Sequence, residues 1–233
     1  MAVKIVVADA THVKYAQDVC DLIRTTAQQK GSGIVDRSPD YVTDRIKTGR
    51  AVIAFDEERV VGFVYIETWS HGMFVANSGL VVDSDYRYKG LARQIKKSVF
   101  ELSRKLYPTS KIFSITTGLA VMKLNSELGY VPVTYSELTR DIEFWQGCEG
   151  CKNFDILQRN NYKMCLCTGL VFDPAKQKDN KERGTDVVPQ KLPFNIFFVR
   201  PYIFTKRIFQ RLYIMIKRYK LLKKINKINN NKS

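Results

Sequence analysis

One junction constrains this chain more than any other feature. A β-rich run ending at Val82 passes through Asp83-Ser84-Asp85-Tyr86-Arg87-Tyr88-Lys89-Gly90 and directly into a helix. That helix carries Leu91, Ile95, Val99, Leu102 and Leu106 at intervals of three and four. Pro108 stops it, and Arg93, Lys96, Lys97, Arg104 and Lys105 are expected on its wet sides. The first amides of a helix have no intrahelical acceptor and sit at the positive end of its dipole, so an anion placed there meets several donors at once. Gly90 and Ala92 are small enough for a ligand to approach the backbone, and Arg87 and Lys89 add positive charge. A glycine at a helix start is common by itself, so specificity has to come from the order of the elements around it.

That order is an alternation. Val3 to Ala8 reads as a strand; Tyr15, Val19, Leu22 and Ile23 follow at helical spacing until Lys30-Gly31-Ser32-Gly33. Ser38-Pro39 has the form of an N-cap and a helix-starting proline, with a second helix running to Gly49. Ala51 to Phe55 and Val60 to Thr68 are β-rich runs about a turn, and Met73 to Val82 is a third. Beyond the long helix come a strand at Lys111 to Thr116, a helix at Leu119 to Leu128 and a strand pair opened by Gly129-Tyr130-Val131. The sum is an α/β (α+β) architecture with a mixed sheet.

Charge divides the chain. Of a net +15, the segment Pro193 to Ser233 supplies eleven basic residues and no acidic one, leaving 27 basic against 23 acidic residues in the body. Residues 1–173 read as one domain whose last part, 134–173, is a cysteine-bearing extension; 174–193 is an apolar-poor linker and 194–233 a basic tail. In the tail, Phe204, Ile208, Leu212, Met215, Tyr219 and Leu222 recur helically among lysines and arginines, as in an amphipathic helix lying on an anionic membrane or docked on a protein; the wide apolar stripe speaks against a nucleic-acid arm. The N-terminus lacks the pattern of a signal peptide and no window is apolar enough to span a bilayer, so a cytoplasmic protein, peripheral to a membrane at most, is expected. Homo-oligomerisation is left open.

The run Val82-Asp83-Ser84-Asp85-Tyr86-Arg87-Tyr88-Lys89-Gly90-Leu91-Ala92 resembles the acetyl-CoA signature of GNAT acetyltransferases, and Leu124-Asn125-Ser126-Glu127-Leu128-Gly129-Tyr130 is similar to that family's second cofactor segment. The resemblance covers about Val3 to Val133. It implies a mostly antiparallel GNAT sheet flanked by helices, with acetyl-CoA as cosubstrate. By the same resemblance the backbone of Leu80 and Val82 pairs with the pantetheine arm, and the amides from Tyr88 to Ala92, with Arg87 and Lys89 beside them, hold the pyrophosphate. Acetyl transfer then proceeds by direct attack of a neutral amine on the thioester. Asn125 stands where many relatives carry a tyrosine that protonates the departing thiolate, and asparagine is no acid.

Glu67, at the end of the second sheet strand, and His71, in the next turn, are the candidate bases; Lys30 and Arg37 are candidates to clamp a substrate carboxylate, with an ordinary exposed loop as the alternative. The stretch Val75 to Asp173, with Phe144-Trp145-Gln146-Gly147-Cys148 and Cys165-Leu166-Cys167-Thr168, is similar to bacterial GNAT proteins associated with arginine biosynthesis. That resemblance implies an N-acetylglutamate synthase-like enzyme and an amino acid such as glutamate as acceptor. Rival readings are a GNAT-fold binding or regulatory module at a membrane, and a protein N-acetyltransferase. Cys148-x2-Cys151 and Cys165-x-Cys167 have the ligand count of a structural zinc, although the one-residue spacing of the second pair is irregular; the alternative is ordinary core and loop thiols. Cys20 is expected in the core.

Overall fold

The structure is a computed structural model and describes residues 3–28 and 34–177. Lys30, the linker beyond 177 and the basic tail lie outside the described residues. Among the described residues the elements follow one another as β1 (Lys4–Val7), α1 (Ala16–Ala27), α2 (Pro39–Lys47), β2 (Ala51–Asp56), β3 (Arg59–Trp69), β4 (Phe74–Val82), α3 (Leu91–Leu106), β5 (Lys111–Thr116), α4 (Leu119–Glu127), β6 (Val131–Val133), α5 (Ile142–Gln146), α6 (Phe154–Arg159) and β7 (Thr168–Phe172), with short 3₁₀ turns between some of them. Among the described residues no helix is long and apolar enough to cross a membrane.

The sheet runs β1-β2-β3-β4-β5-β7-β6. β1 to β4 form an antiparallel meander, β4 and β5 are parallel, and β7 lies antiparallel between β5 and β6. Alternation along each strand divides the core in two. Ala51, Ile53, Phe55, Phe63 and Tyr65 pack against Val19, Ile23, Val42 and Ile46 of α1 and α2, whereas Val52, Ala54, Val64 and Ile66 pack against Ile95, Val99 and Leu102 of α3. With helices on both faces, β3 is buried from Val60 through Ile66 and reads as a continuous apolar run. Burial of each large side chain in these layers stabilises the fold by about 1.5–3 kcal/mol. Gly62 lets α3 come close: a Cβ there would stand 2.4 Å from Ile95 Cδ1.

Helix starts follow the expected chemistry. Ser38 Oγ accepts from the Tyr41 amide at 3.3 Å, with Pro39 in the first turn of α2. Gly90 caps α3 with φ +81°, a left-handed conformation that glycine adopts without steric cost.

Two expectations need correction. Lys96 is not on a wet side of α3 but is 2% exposed in the core. Its Nζ donates to Asn77 Oδ1 at 3.3 Å and lies 5.1 Å from the centre of the Tyr130 ring. Nor is 134–173 an appendage to a finished sheet. Its last residues form β7, inserted between β5 and β6, while Leu138, Phe144, Trp145 and Leu157 build a third apolar cluster on Ala76, Phe113 and Val171. That cluster shares the α1/α2 face of the sheet and becomes one wall of the cavity described next.

Candidate active site

β4 is bonded to β3 from Phe74 to Val82 but to β5 only at Phe74, Val75 and Ala76, opposite Lys111, Ile112 and Phe113. Beyond Ala76 and Phe113 the two strands part, leaving the edges of 77–82 and 114–116 unpaired with each other. Such a wedge offers strand-edge amides and carbonyls to an extended ligand. Both parted strands line a cavity of about 650 Å³, within the range of small-molecule sites.

The parting is reinforced from the β3 side. Tyr65 pairs with Ser78 and Phe63 with Val81, so Gly79 and Leu80 together face one residue of β3 and form a bulge. Gly79 has φ +66°, and a Cβ on it would meet Tyr65 Cε1 at 2.4 Å. Both requirements select glycine.

Glu67 sits opposite Ala76, level with the point where β4 and β5 separate. It shares one face of β3 with Tyr65 and Trp69, and all three line the cavity. Tyr41 of α2 donates its hydroxyl hydrogen bond to Glu67 Oε1. Burial, with Glu67 close by, pushes the phenol of Tyr41 up, so it stays a protonated donor. Arg37, on the segment leading into α2, also lines the cavity and is fixed by two bonds, Nε to Tyr65 Oη at 3.0 Å and Nη1 to the Asp36 carbonyl at 3.1 Å. Burial works against its charge, but neighbouring Tyr65, Tyr41 and Glu67 outweigh that and hold the guanidinium charged. Arg45 packs on the other part of this group, 4.6 Å from the centre of the Tyr41 ring.

Comparison with known proteins points the same way as the resemblance in the sequence. Residues 18–123 match the model of the Acetyltransferase (GNAT) family. Over those residues the chain is similar to GNAT acetyltransferases. Among solved structures, the chain is similar to N-acetylglutamate synthase from Neisseria gonorrhoeae complexed with coenzyme A and N-acetyl-glutamate, with TM-score 0.53 and 18% identity, covering 74% of this chain and 35% of that one. It is also similar to Rv2747 from Mycobacterium tuberculosis in complex with CoA and NLQ, with TM-score 0.51, 13% identity and coverage of 73% and 98%. Diaminobutyrate acetyltransferase EctA from Paenibacillus lautus, bound to L-2,4-diaminobutyric acid and coenzyme A, gives TM-score 0.50, 14% identity and coverage of 74% and 95%. At these identities the likeness establishes the fold; the chain spans about a third of the Neisseria synthase. No curated protein matches the sequence.

Within the GNAT frame most of the expected cofactor residues occupy the wedge strand and the loop after it. Leu80 lines the cavity, and Val82 ends β4. Arg87 Nε donates to the Val82 carbonyl at 3.0 Å, folding the loop back on the strand end. Tyr88, with φ +62°, and Lys89 are exposed, Gly90 caps α3, Leu91 is buried, and Ala92 packs against the α3 core. Nothing lies within 4 Å of a Cβ built on Gly90, so its own conformation, not crowding, is what calls for glycine. Asn125 is fully buried in α4, away from the cavity lining, and neither its Oδ1 nor its Nδ2 has a hydrogen-bond partner among the described residues.

The remaining candidates separate. His71 is exposed in the β3–β4 turn, with φ +54°, and does not line the cavity. The four cysteines do line it, but among the described residues no three Cys, His, Asp or Glu side chains are arranged to hold a metal ion. The described residues therefore lend no support to the expected zinc site, although Cys148 and Cys151 in the turns after α5, and Cys165 and Cys167 ahead of β7, share one cavity wall. All are free thiols. Burial first, and then the neighbouring thiols, push Cys148 up to about 11 and Cys167 to about 12. Tyr41, Arg45, Tyr65 and the aromatic wall of Phe144 and Trp145 belong to the site without having been foreseen. The period-2 spacing of Tyr65, Glu67 and Trp69 on one strand was the available signal for Tyr65.

Proposed function

We propose that this domain transfers an acetyl group from acetyl-CoA to the α-amino group of an amino acid. The observation that carries the reading is the register at the wedge: Glu67 stands beside Ala76, the last residue at which β4 pairs with β5, and Arg37 is fixed on the same cavity. An extended pantetheine arm laid against Leu80 and Val82 delivers its thioester toward that apex, with its pyrophosphate at the N-terminus of α3. The carboxylate of the acceptor is taken by Arg37, and Glu67, directly or through a water, removes the proton that leaves a nucleophilic neutral amine.

The amine nitrogen then attacks the thioester carbon. Amides of the Gly79–Leu80 bulge are the candidate donors to the developing oxyanion. The intermediate gives up its extra N–H proton to water and collapses with release of the CoA thiolate, a leaving group whose conjugate acid lies only modestly above neutrality and which solvent can protonate without Asn125. The two neighbours solved with N-acetyl-glutamate and with diaminobutyric acid support an amino-acid acceptor and make glutamate the reference substrate.

The test is thiol release from acetyl-CoA by the purified full-length chain across free amino acids and polyamines. Release dependent on α-amino acids, lost in Arg37→Ala and Glu67→Gln, is the expected result. Tight acetyl-CoA binding without turnover on any amine would replace this reading with a binding module.

A further inference from the structure

Behind the wedge the core holds an ammonium, that of Lys96, which no carboxylate among the described residues compensates. Asn77 is the first residue of β4 beyond the pairing with β5, and it lines the cavity. Its side chain is bonded at both ends of the amide. Nδ2 donates to Ser103 Oγ at 2.8 Å, and Oδ1 accepts from Lys96 Nζ at 3.3 Å and from Tyr130 Oη at 3.0 Å. Ser103 Oγ donates in turn to the Val99 carbonyl at 2.7 Å. All four side chains are buried. The Tyr130 amide donates to the carbonyl of Asn125, the α4 residue that offers no acid to the departing thiolate.

The neighbouring elements supply no counter-charge at that point. Strands β2, β3, β5 and β7 put Val52, Ala54, Val64, Ile66, Ile112 and Leu170 into this layer. Asp56 of β2 is taken by the Tyr86 hydroxyl, and Glu127 of α4 pairs with Arg93 at the surface. The Tyr130 phenol is pushed up by burial and stays neutral. Burial pushes the Lys96 ammonium down, to about 7.

We propose that Lys96 serves acetyl transfer as a charge-supplying positioning residue: Asn77 and Tyr130 hold its ammonium behind the apex of the wedge, where it stabilises the negative charge that collects on the departing CoA sulfur. The inference rests on the acetyl-CoA reading given above and adds a residue that the reading left out. As the amine nitrogen bonds to the thioester carbon and the C–S bond breaks, the C–S electron pair leaves with the sulfur. The amine protons go to Glu67 and to water, and solvent later protonates the thiolate, so no proton is asked of Lys96. Its part is electrostatic. A thioester is neutral and gains little from a cation behind the strand, whereas a thiolate in the same place gains strongly where little water screens the pair. An uncompensated buried ammonium is a cost to the fold until an anion forms within reach. Lys96 lies outside the cavity lining, so its charge acts across Asn77, which lies in that lining and holds its Nζ.

The experiment titrates the thiol of CoA bound to the full-length chain, followed by the ultraviolet absorbance of the thiolate with desulfo-CoA as the reference ligand. The expected result is a bound thiol whose ionisation begins about one pH unit or more below that of free CoA, as a poorly screened ammonium requires. That shift is expected to disappear in Lys96→Met and in Lys96→Gln, the second of which keeps a donor toward Asn77 without the charge. With an α-amino acid that supports CoA release, kcat of either variant is expected to fall about tenfold or more while acetyl-CoA affinity stays within about threefold, a split that a collapsed wedge would not give. Ionisation in the wild-type chain at or above the pH of free CoA overturns the inference without any variant. A shift that persists in a variant whose thermal melt shows it folded overturns it too, and both outcomes leave the acetyltransferase reading standing. Failure of the wild-type chain to bind CoA or acetyl-CoA overturns that reading and this one with it.

Discussion

The two edges of β4 do different work. Toward β3 the strand is bonded from end to end, interrupted by a single bulge; toward β5 it is bonded for three residues and then turns away. The first edge lies between the layers packed by α1, α2 and α3 and holds the fold together, while the second leaves unpaired backbone along a cavity. A sheet tolerates such an opening because backbone groups left unpaired at the wedge face a cavity where water or ligand can satisfy them. The lesson is that stability and chemistry are separated by the width of one strand, and substitutions on either side of β4 should affect different observables.

The largest expected effect is on the open side. Glu67→Gln keeps the shape at the apex but cannot accept the amine proton, and kcat should fall by about 100-fold or more with acetyl-CoA affinity unchanged. A steady-state assay giving wild-type kcat would move the chemistry away from the apex. Next is Gly79→Ala, on the bonded side, where both φ +66° and the 2.4 Å approach to the Tyr65 ring oppose a methyl group. Urea denaturation should show a loss of about 2–4 kcal/mol. An unchanged midpoint would mean that the bulge yields easily and that the bonded edge is less rigid than its pairing implies.

Lys96→Met probes the core behind the wedge. Burial pushes the Lys96 ammonium down from 10.5 to about 7. Between those values the unfolded chain carries a proton that the folded chain has released, so this residue makes wild-type stability rise with pH across that window, and its full cost is present below about pH 7. The variant should therefore be more stable than wild type by about 1–4 kcal/mol at pH 6, with the advantage shrinking toward pH 10 in thermal melts. A variant less stable at pH 6 would show that the bonds from Lys96 to Asn77 and its contact with Tyr130 outweigh the desolvation. The smallest effect is expected of Gly90→Ala. Open space surrounds the position, so the cost is the left-handed conformation alone, about 1 kcal/mol, with a change in acetyl-CoA affinity below about tenfold.

Much of the frame could be read from local pattern. The strands from Ala51 to Val82, α3 with its glycine cap, and α2 with Ser38-Pro39 all obey rules that act within a few residues, namely alternation, helical spacing and capping. The loop at the start of α3 was visible for the same reason. Lys96 was misplaced because its charge argued for water, while the helix turn put it beneath Asn77 and Tyr130, where burial prevails over propensity. The cysteine spacing reports how many ligands a segment could offer but not where their side chains end up, and the described residues form no metal-holding group.

By itself, the sequence determined the succession of strands and helices and the glycine-opened start of α3, since each depends on neighbours along the chain. Only the tertiary structure decided that β7 threads between β5 and β6, that β4 and β5 part after Ala76, and that Glu67 and Arg37 share one cavity with the aromatic and thiol wall of residues 135–167. Those features join residues up to a hundred or more positions apart. Their geometry is set by which surfaces bury each other best, and no local preference of the chain encodes it.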